Sequence, residues 1–146
     1  MIEISHRGNL TGPNENLENN PEYIDLALNK GYDCEVDIRI VNNQIYLGHD
    51  DPQYIIDYWW LQKRKKHLWI HCKDLDTLSY FNSETQLSML NYFFHESDLG
   101  VLTSCHYIWS TNNVNNGILV MPEVYNTKPN AETLGICSDF IIKPES

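Results

Sequence analysis

Apolar residues recur along this chain in short runs, and the polar residues that interrupt them predict its elements. Met1–Ser5 reads as a strand, with Ile2 and Ile4 on one face. Asn9–Asn20, rich in Asn, Gly and Pro, reads as a loop. Pro21–Lys30 predicts a helix: Asn20 is an N-cap residue, Pro21 fits the first helical position, and Gly31 closes it. Asp33–Val41 is a strand, Asn42-Asn43 a two-residue turn, and Gln44–Gly48 its hairpin partner. A weaker helix over Asp57–Lys66 ends in basic residues, which suits its C-terminal dipole. Leu68–Cys72 is a strand, and Asp74 or Asp76 caps a third helix to about Ser83.

Strand-like runs follow at Asn91–His95, Gly100–Ser104, Tyr107–Thr111, Ile118–Met121 and Gly135–Ile142. The segment Asn126–Thr133 is expected to hold a degenerate helix. Alternating strands and helices in the first half predict a parallel sheet. About eight short parallel strands would close it, so the expected fold class is α/β: a compact, trimmed TIM-like (β/α)8 barrel with shortened or missing helices in the second half. At 146 residues a single domain over 1–146 is expected.

Composition changes the picture in four ways. The net charge of −10 argues against a nucleic acid or an anionic membrane as partner, since both favour a basic surface. No apolar run nears the ~20 residues of a membrane span, and no leader precedes the first strand, so a cytoplasmic protein is expected. Cys34, Cys72, Cys105 and Cys137 are widely spaced and lie in or beside apolar runs, which predicts buried free thiols. Trp59, Trp60, Trp69, Phe93, Phe94 and Trp109 are the large residues expected in the core.

Polar clusters at strand ends carry the chemistry. They are His6-Arg7-Gly8, Glu35-Val36-Asp37, His49-Asp50 and His71-Cys72-Lys73. Side chains alternate along a strand, so Glu35 and Asp37 share one face and Cys34, Val36 and Ile38 the other. Two carboxylates turned into a barrel repel each other and require a cation such as Mg²⁺ or Ca²⁺. By the same parity His71 and Lys73 share a face. His71 is placed to complete a metal site, and Lys73 to neutralise a phosphate oxygen. His6 and His49 are candidates for an acid–base pair, and Arg7 offers a planar fork to phosphate. His95, Trp109 and Glu123 each end a later apolar run; Trp109 is a candidate to stack on a substrate, and Glu123 to add a carboxylate to the metal site.

The segments Ile4-Ser5-His6-Arg7-Gly8, Glu18-Asn19, Ala27 to Gly31, Glu35-Val36-Asp37 and Gly48-His49-Asp50 resemble, in order and spacing, the glycerophosphodiester phosphodiesterase family of phosphatidylinositol-phospholipase-C-like barrels. The likeness covers roughly residues 2–52 and continues more weakly through Leu68–Lys73. It implies metal-dependent hydrolysis of a small phosphodiester to a phosphomonoester and an alcohol. His6 and His49 would be catalytic, Glu35 and Asp37 metal ligands, and Arg7 and Lys73 phosphate-binding, with Glu18 and Asn19 supporting them. The implied cofactor is a divalent ion: Mg²⁺, Ca²⁺ or Mn²⁺.

Two departures from the family stand out. His71 occupies the place of a third carboxylate ligand, which shifts the metal preference toward Mn²⁺ or Zn²⁺. The stretch between Asp50 and the next parallel strand lacks the family's long insertion, so a more open mouth is expected. The alternatives are a catalytically weak or inactive relative that binds a phosphate ligand or a protein, and a related barrel enzyme acting on another phosphoester. The sequence carries no reading of oligomeric state.

Overall fold

The computed structural model describes residues 1–142. β1 (Ile2–His6) leads through a tight loop to α1 (Pro21–Asn29), then to β2 (Asp33–Val41). Asn20 Oδ1 caps α1 by accepting from the Glu22 N–H at 2.9 Å. Asn42 and Asn43 both take left-handed φ, 52° and 62°, the turn that a two-residue hairpin requires. They join β2 to β3 (Gln44–Leu47), and β4 (Tyr54–Ile56) extends this antiparallel meander. α2 (Tyr58–Arg64), capped by Asp57, precedes β5 (Leu68–Cys72). α3 (Leu75–Ser83), capped by Asp74, and a 3₁₀ turn (Leu87–Met89) lead to β6 (Tyr92–Phe93). β7 (Gly100–Leu102), β8 (Ile108–Ser110), β9 (Ile118–Val120), α4 (Pro122–Tyr125) and β10 (Gly135–Ser138) complete the order.

All ten strands form one mixed sheet. Its spine is parallel, in the order β6-β5-β2-β1-β10-β9-β8. Antiparallel partners are added at β3, β4 and β7. The sheet curls into a half-barrel. Across its open side the rings of Phe93 and Trp109 face each other with centroids 4.7 Å apart. Nearby, the Ser104 N–H donates to the Tyr92 carbonyl and the Tyr92 N–H to Ser104 Oγ, both at 2.8 Å.

Strand alternation divides the apolar residues into two cores. Cys34, Val36, Ile38, Ile70 and Cys72 face the helices and pack with Ile24, Leu61 and Phe81. Ile4, Trp69, Phe93, Trp109, Ile118 and Cys137 fill the concave side. Each large member contributes roughly 1.5–3 kcal/mol when fully buried. The polar clusters cap this inner core at the C-terminal ends of the parallel strands.

This architecture corrects the expected trimmed (β/α)8 barrel. Only four helices occur among the described residues, and α4 is a single turn. The physical reason lies in the connections. Residues 111–117, between β8 and β9, are fewer than the dozen or so that a helical crossover needs. β3, β4 and β7 are antiparallel additions foreign to a repeated strand–helix unit. The degenerate helix expected over Asn126–Thr133 is absent; the turn of helix falls earlier, at α4. Trp59 is 64% exposed on α2 rather than in the core, and Cys105 is exposed where a buried thiol is expected. Cys34, Cys72 and Cys137 are buried and free. No helix among the described residues is long and apolar enough to cross a membrane.

Candidate functional site

β2 supplies the centre of the site. Glu35 and Asp37 point to the concave side, 2% and 0% exposed. β5 pairs in parallel register, which sets His71 beside Asp37. The Asp37 carboxylate is held on one side only. Asn19 Nδ2 donates to its Oδ2, and the Asp37 N–H donates to Asn19 Oδ1, both at 2.9 Å. Arg7 Nε lies 3.0 Å from the same Oδ2. Oδ1 turns the other way, 3.2 Å from His71 Nδ1 and 3.9 Å from Lys73 Nζ, with no hydrogen bond of its own.

Neither oxygen of Glu35 has a hydrogen-bond partner, though both are buried. An orphaned carboxylate in a dry site costs several kcal/mol unless a cation or a proton compensates it. One oxygen each from Glu35 and Asp37 and one nitrogen of His71 lie within 4.8 Å of one another. Glu35, Asp37 and His71 can therefore hold a metal ion, and two carboxylates with one imidazole suit a divalent ion. Burial and the Asp37 charge push the Glu35 carboxyl up to about 8. Burial also opposes the Asp37 anion, but His71, Arg7 and Lys73 outweigh it and hold that carboxyl below its usual range.

His6 closes β1 above Glu35, its Nε2 3.5 Å from Glu35 Oε2. The opposite ring nitrogen, Nδ1, donates to Asp139 Oδ1 at 2.7 Å. Asp139 follows β10 and is itself fixed by two contacts. Asn9 Nδ2 donates to its Oδ1 at 2.8 Å, and Glu123 Oε1 accepts from its backbone N–H at 3.0 Å. Burial disfavours the charged imidazole of His6, but the Asp139 bond and the Glu35 charge override it and raise its pKa. Behind this pair the chain is tightly folded. Arg7 takes a left-handed φ of 60°, and its N–H donates to the Glu35 carbonyl at 2.9 Å. Strained left-handed backbone at a non-glycine residue is a feature of functional turns.

His49 stands in the turn after β3, about two-fifths exposed, with Nδ1 2.8 Å from Asp50 Oδ1. Arg39 fastens that turn by donating from Nε to the Gly48 carbonyl and from its terminal nitrogen to the His49 carbonyl. Burial and the nearby Arg7 charge lower the pKa of His49. The two candidate catalytic histidines are thus biased in opposite directions. Burial also lowers His71, whose ring lies parallel to those of Phe93 and His95, with centroids 5.2 and 4.3 Å away.

The structure brings together His6, Arg7, Glu35, His49, His71, Lys73 and Trp109 around one cleft of about 480 Å³. Asp37 lies beneath its floor. Glu18 bonds to Arg7 and Asn9 at 3.1 and 3.0 Å, and Asn19 clamps Asp37, so both act as supports. Trp109 is 4% exposed and stacks on Trp69 with ring centroids 5.6 Å apart, which makes it floor and inner core together. Glu123 lies apart from the metal group: its oxygens accept from Ser138 Oγ and the Asp139 N–H. Sequence reading missed the roles of Asp139 and Asn9. The available signal was Ser138-Asp139, which repeats the strand-end polar pattern on the last strand. Comparison with protein-family models, curated proteins and solved structures finds no match to this chain.

Proposed function

We propose that this protein is a metal-dependent phosphodiesterase that cleaves a small glycerophosphodiester-type substrate into a phosphomonoester and an alcohol. The observation that carries the reading is the buried Glu35 carboxylate, without a hydrogen-bond partner, beside Asp37 and His71 and flanked by two histidines and two cations. The resemblance of residues 2–52 to the glycerophosphodiester phosphodiesterase family supports the same chemistry.

Glu35, Asp37 and His71 would hold the ion, and the imidazole among them favours Mn²⁺ over Mg²⁺ or Ca²⁺. When bound, such an ion acidifies an attacking hydroxyl and offsets negative charge at phosphorus. Arg7 and Lys73 place two positive charges beside the cleft for the phosphate oxygens. Of His6 and His49, one takes the proton of the attacking hydroxyl and the other protonates the departing alkoxide. A hydroxyl of the substrate would form one P–O bond as the P–O bond to the leaving alcohol breaks, and water would then open the resulting cyclic phosphodiester to the phosphomonoester. Asp139 fixes the His6 ring through Nδ1, which leaves Nε2 directed at the cleft. A second reading, a phosphate-binding relative without turnover, draws on His71 standing where the family has a carboxylate.

Hydrolysis of a phosphodiester panel led by glycerophosphocholine, with Mg²⁺, Ca²⁺ and Mn²⁺, separates the two. Turnover by the wild type, reduced about 10²–10⁴-fold in His49→Ala, supports the phosphodiesterase. Binding of phosphate without cleavage of any diester supports the second reading.

A further inference from the structure

At the end of the sheet opposite the metal group, the residues that precede β5, β6 and β8 meet. The run Lys63-Arg64-Lys65-Lys66 leads into β5 there and holds four of the ten Lys and Arg of a chain with net charge −10. Arg64 is engaged elsewhere: its Nε lies 2.7 Å from Asp25 Oδ1, and its guanidinium sits 4.2 Å over the Trp60 ring. Lys65 and Lys66 lie past the end of α2, are exposed, and form no ion pair among the described residues. Both line a cavity of about 310 Å³ with Gln62, Gln86, Asn91 and Cys105, and no carboxylate stands on its wall. Lys65, Lys66, Asn91 and Cys105 also border an adjoining cavity of about 270 Å³. Its one carboxylate, Asp33, is already bonded to His67 Nδ1 at 2.8 Å and to Trp69 Nε1 at 3.0 Å. Neutral donors share the wall with the lysines. The Tyr58 hydroxyl donates to Gln62 Oε1 at 2.9 Å, which leaves the Gln62 amide nitrogen for a ligand. Asn91 Oδ1 is buried with no hydrogen-bond partner. No bond to that oxygen fixes the amide, so its NH₂ can turn toward an acceptor in the cavity.

We propose that this cavity binds a small organic anion, whose phosphate or carboxylate head sits between Lys65 and Lys66 and accepts from Gln62 and Asn91. The site is separate from Glu35, Asp37 and His71 and does not depend on the phosphodiesterase reading. The chain as a whole repels anions, but screening limits the reach of distant carboxylates to about 8 Å at physiological ionic strength. Two ammonium groups without a carboxylate partner therefore set the local field. A cavity of about 310 Å³ matches a small organic molecule.

Cys105 reports on the site without any assay of activity. It is exposed on the cavity wall, whereas Cys34, Cys72 and Cys137 are buried. The full chain is alkylated with iodoacetamide, and labelling of Cys105 is followed by mass spectrometry. Glycerol 3-phosphate, succinate or sodium chloride is added at equal ionic strength. Glycerol 3-phosphate or succinate is expected to slow labelling of Cys105 at least about threefold and to saturate at roughly millimolar concentration, while chloride leaves the rate unchanged. Protection by glycerol 3-phosphate alone assigns a phosphate head, and protection by succinate alone a carboxylate head. The double substitution Lys65→Gln and Lys66→Gln is expected to abolish the protection. An anion held by Arg7 and Lys73 in the metal cleft would leave Cys105 unshielded, so the readout separates the two places. Labelling that neither anion slows, or protection that survives the double substitution, overturns the proposal and leaves the phosphodiesterase reading untouched.

Discussion

Asp139 determines how the His6 imidazole is presented. Its carboxylate accepts from Nδ1 at 2.7 Å, so the proton of a neutral ring stays on that nitrogen and Nε2 faces the cleft. An amide in its place keeps the shape but loses the charge and favours the wrong ring tautomer. Asp139→Asn is therefore expected to lower kcat by about 10²–10⁴-fold with KM changed by less than about threefold, read in steady-state kinetics. An unchanged kcat, or a rise in KM alone, would show that the pair is only structural. The residues of β2 were legible in the sequence because strand parity is local: Glu35 and Asp37 alternate with Cys34, Val36 and Ile38, and the structure buries the two sets on opposite faces. Asp139 was not legible as a partner of His6, because nothing local links positions so far apart in the chain. Trp59 and Cys105 show the converse limit. Trp59 sits on α2 with its side chain turned away from the core, and Cys105 falls in the turn between β7 and β8, so an apolar neighbourhood in sequence buries neither.

The elements whose punctuation is chemical were read with small errors. Asn20-Pro21 starts α1, Asp74 caps α3, and Asn42-Asn43 turns β2 into β3 as expected. β4 was missed because Tyr54–Ile56 is too short to show alternation, and only pairing with β3 makes it a strand. The later strands are shorter than their apolar runs: Asn91–His95 contributes only Tyr92–Phe93 to the sheet. What places Arg7 over β2 is the loop between β1 and α1, where Gly8 takes φ +95°. A Cβ at Gly8 would stand 2.5 Å from the Tyr23 ring. Gly8→Ala thus combines unfavourable backbone with a collision against a ring that itself donates to Asn9. The expected result is a loss of about 1–3 kcal/mol in chemical denaturation. A variant as stable as the wild type would mean that this loop does not depend on the glycine.

At the scale of the molecule, the parallel spine and the gathering of polar residues at its C-terminal edge agree with the sequence reading, whereas the eightfold strand–helix repeat does not. The difference arises because connection length, not apolar patterning, decides whether a helix covers a strand. The second half spends its residues on short loops and an antiparallel hairpin, and the half-barrel is closed off by aromatic contact between Phe93 and Trp109. The open mouth that results places the metal group at the base of a wide cleft rather than under a lid. On the proposed reading, an ion held by Glu35, Asp37 and His71 would offset the buried Glu35 charge, and activity would follow its occupancy.

The most direct test is to strip the protein with chelator and titrate Mn²⁺, Mg²⁺ or Ca²⁺ back while ³¹P NMR follows glycerophosphocholine. The account predicts no conversion in the stripped protein. It predicts that the phosphomonoester signal grows in step with ion binding, most steeply for Mn²⁺, and that Glu35→Gln weakens that binding by at least about tenfold. Conversion that is indifferent to chelator, or no conversion with any of the three ions, would contradict it.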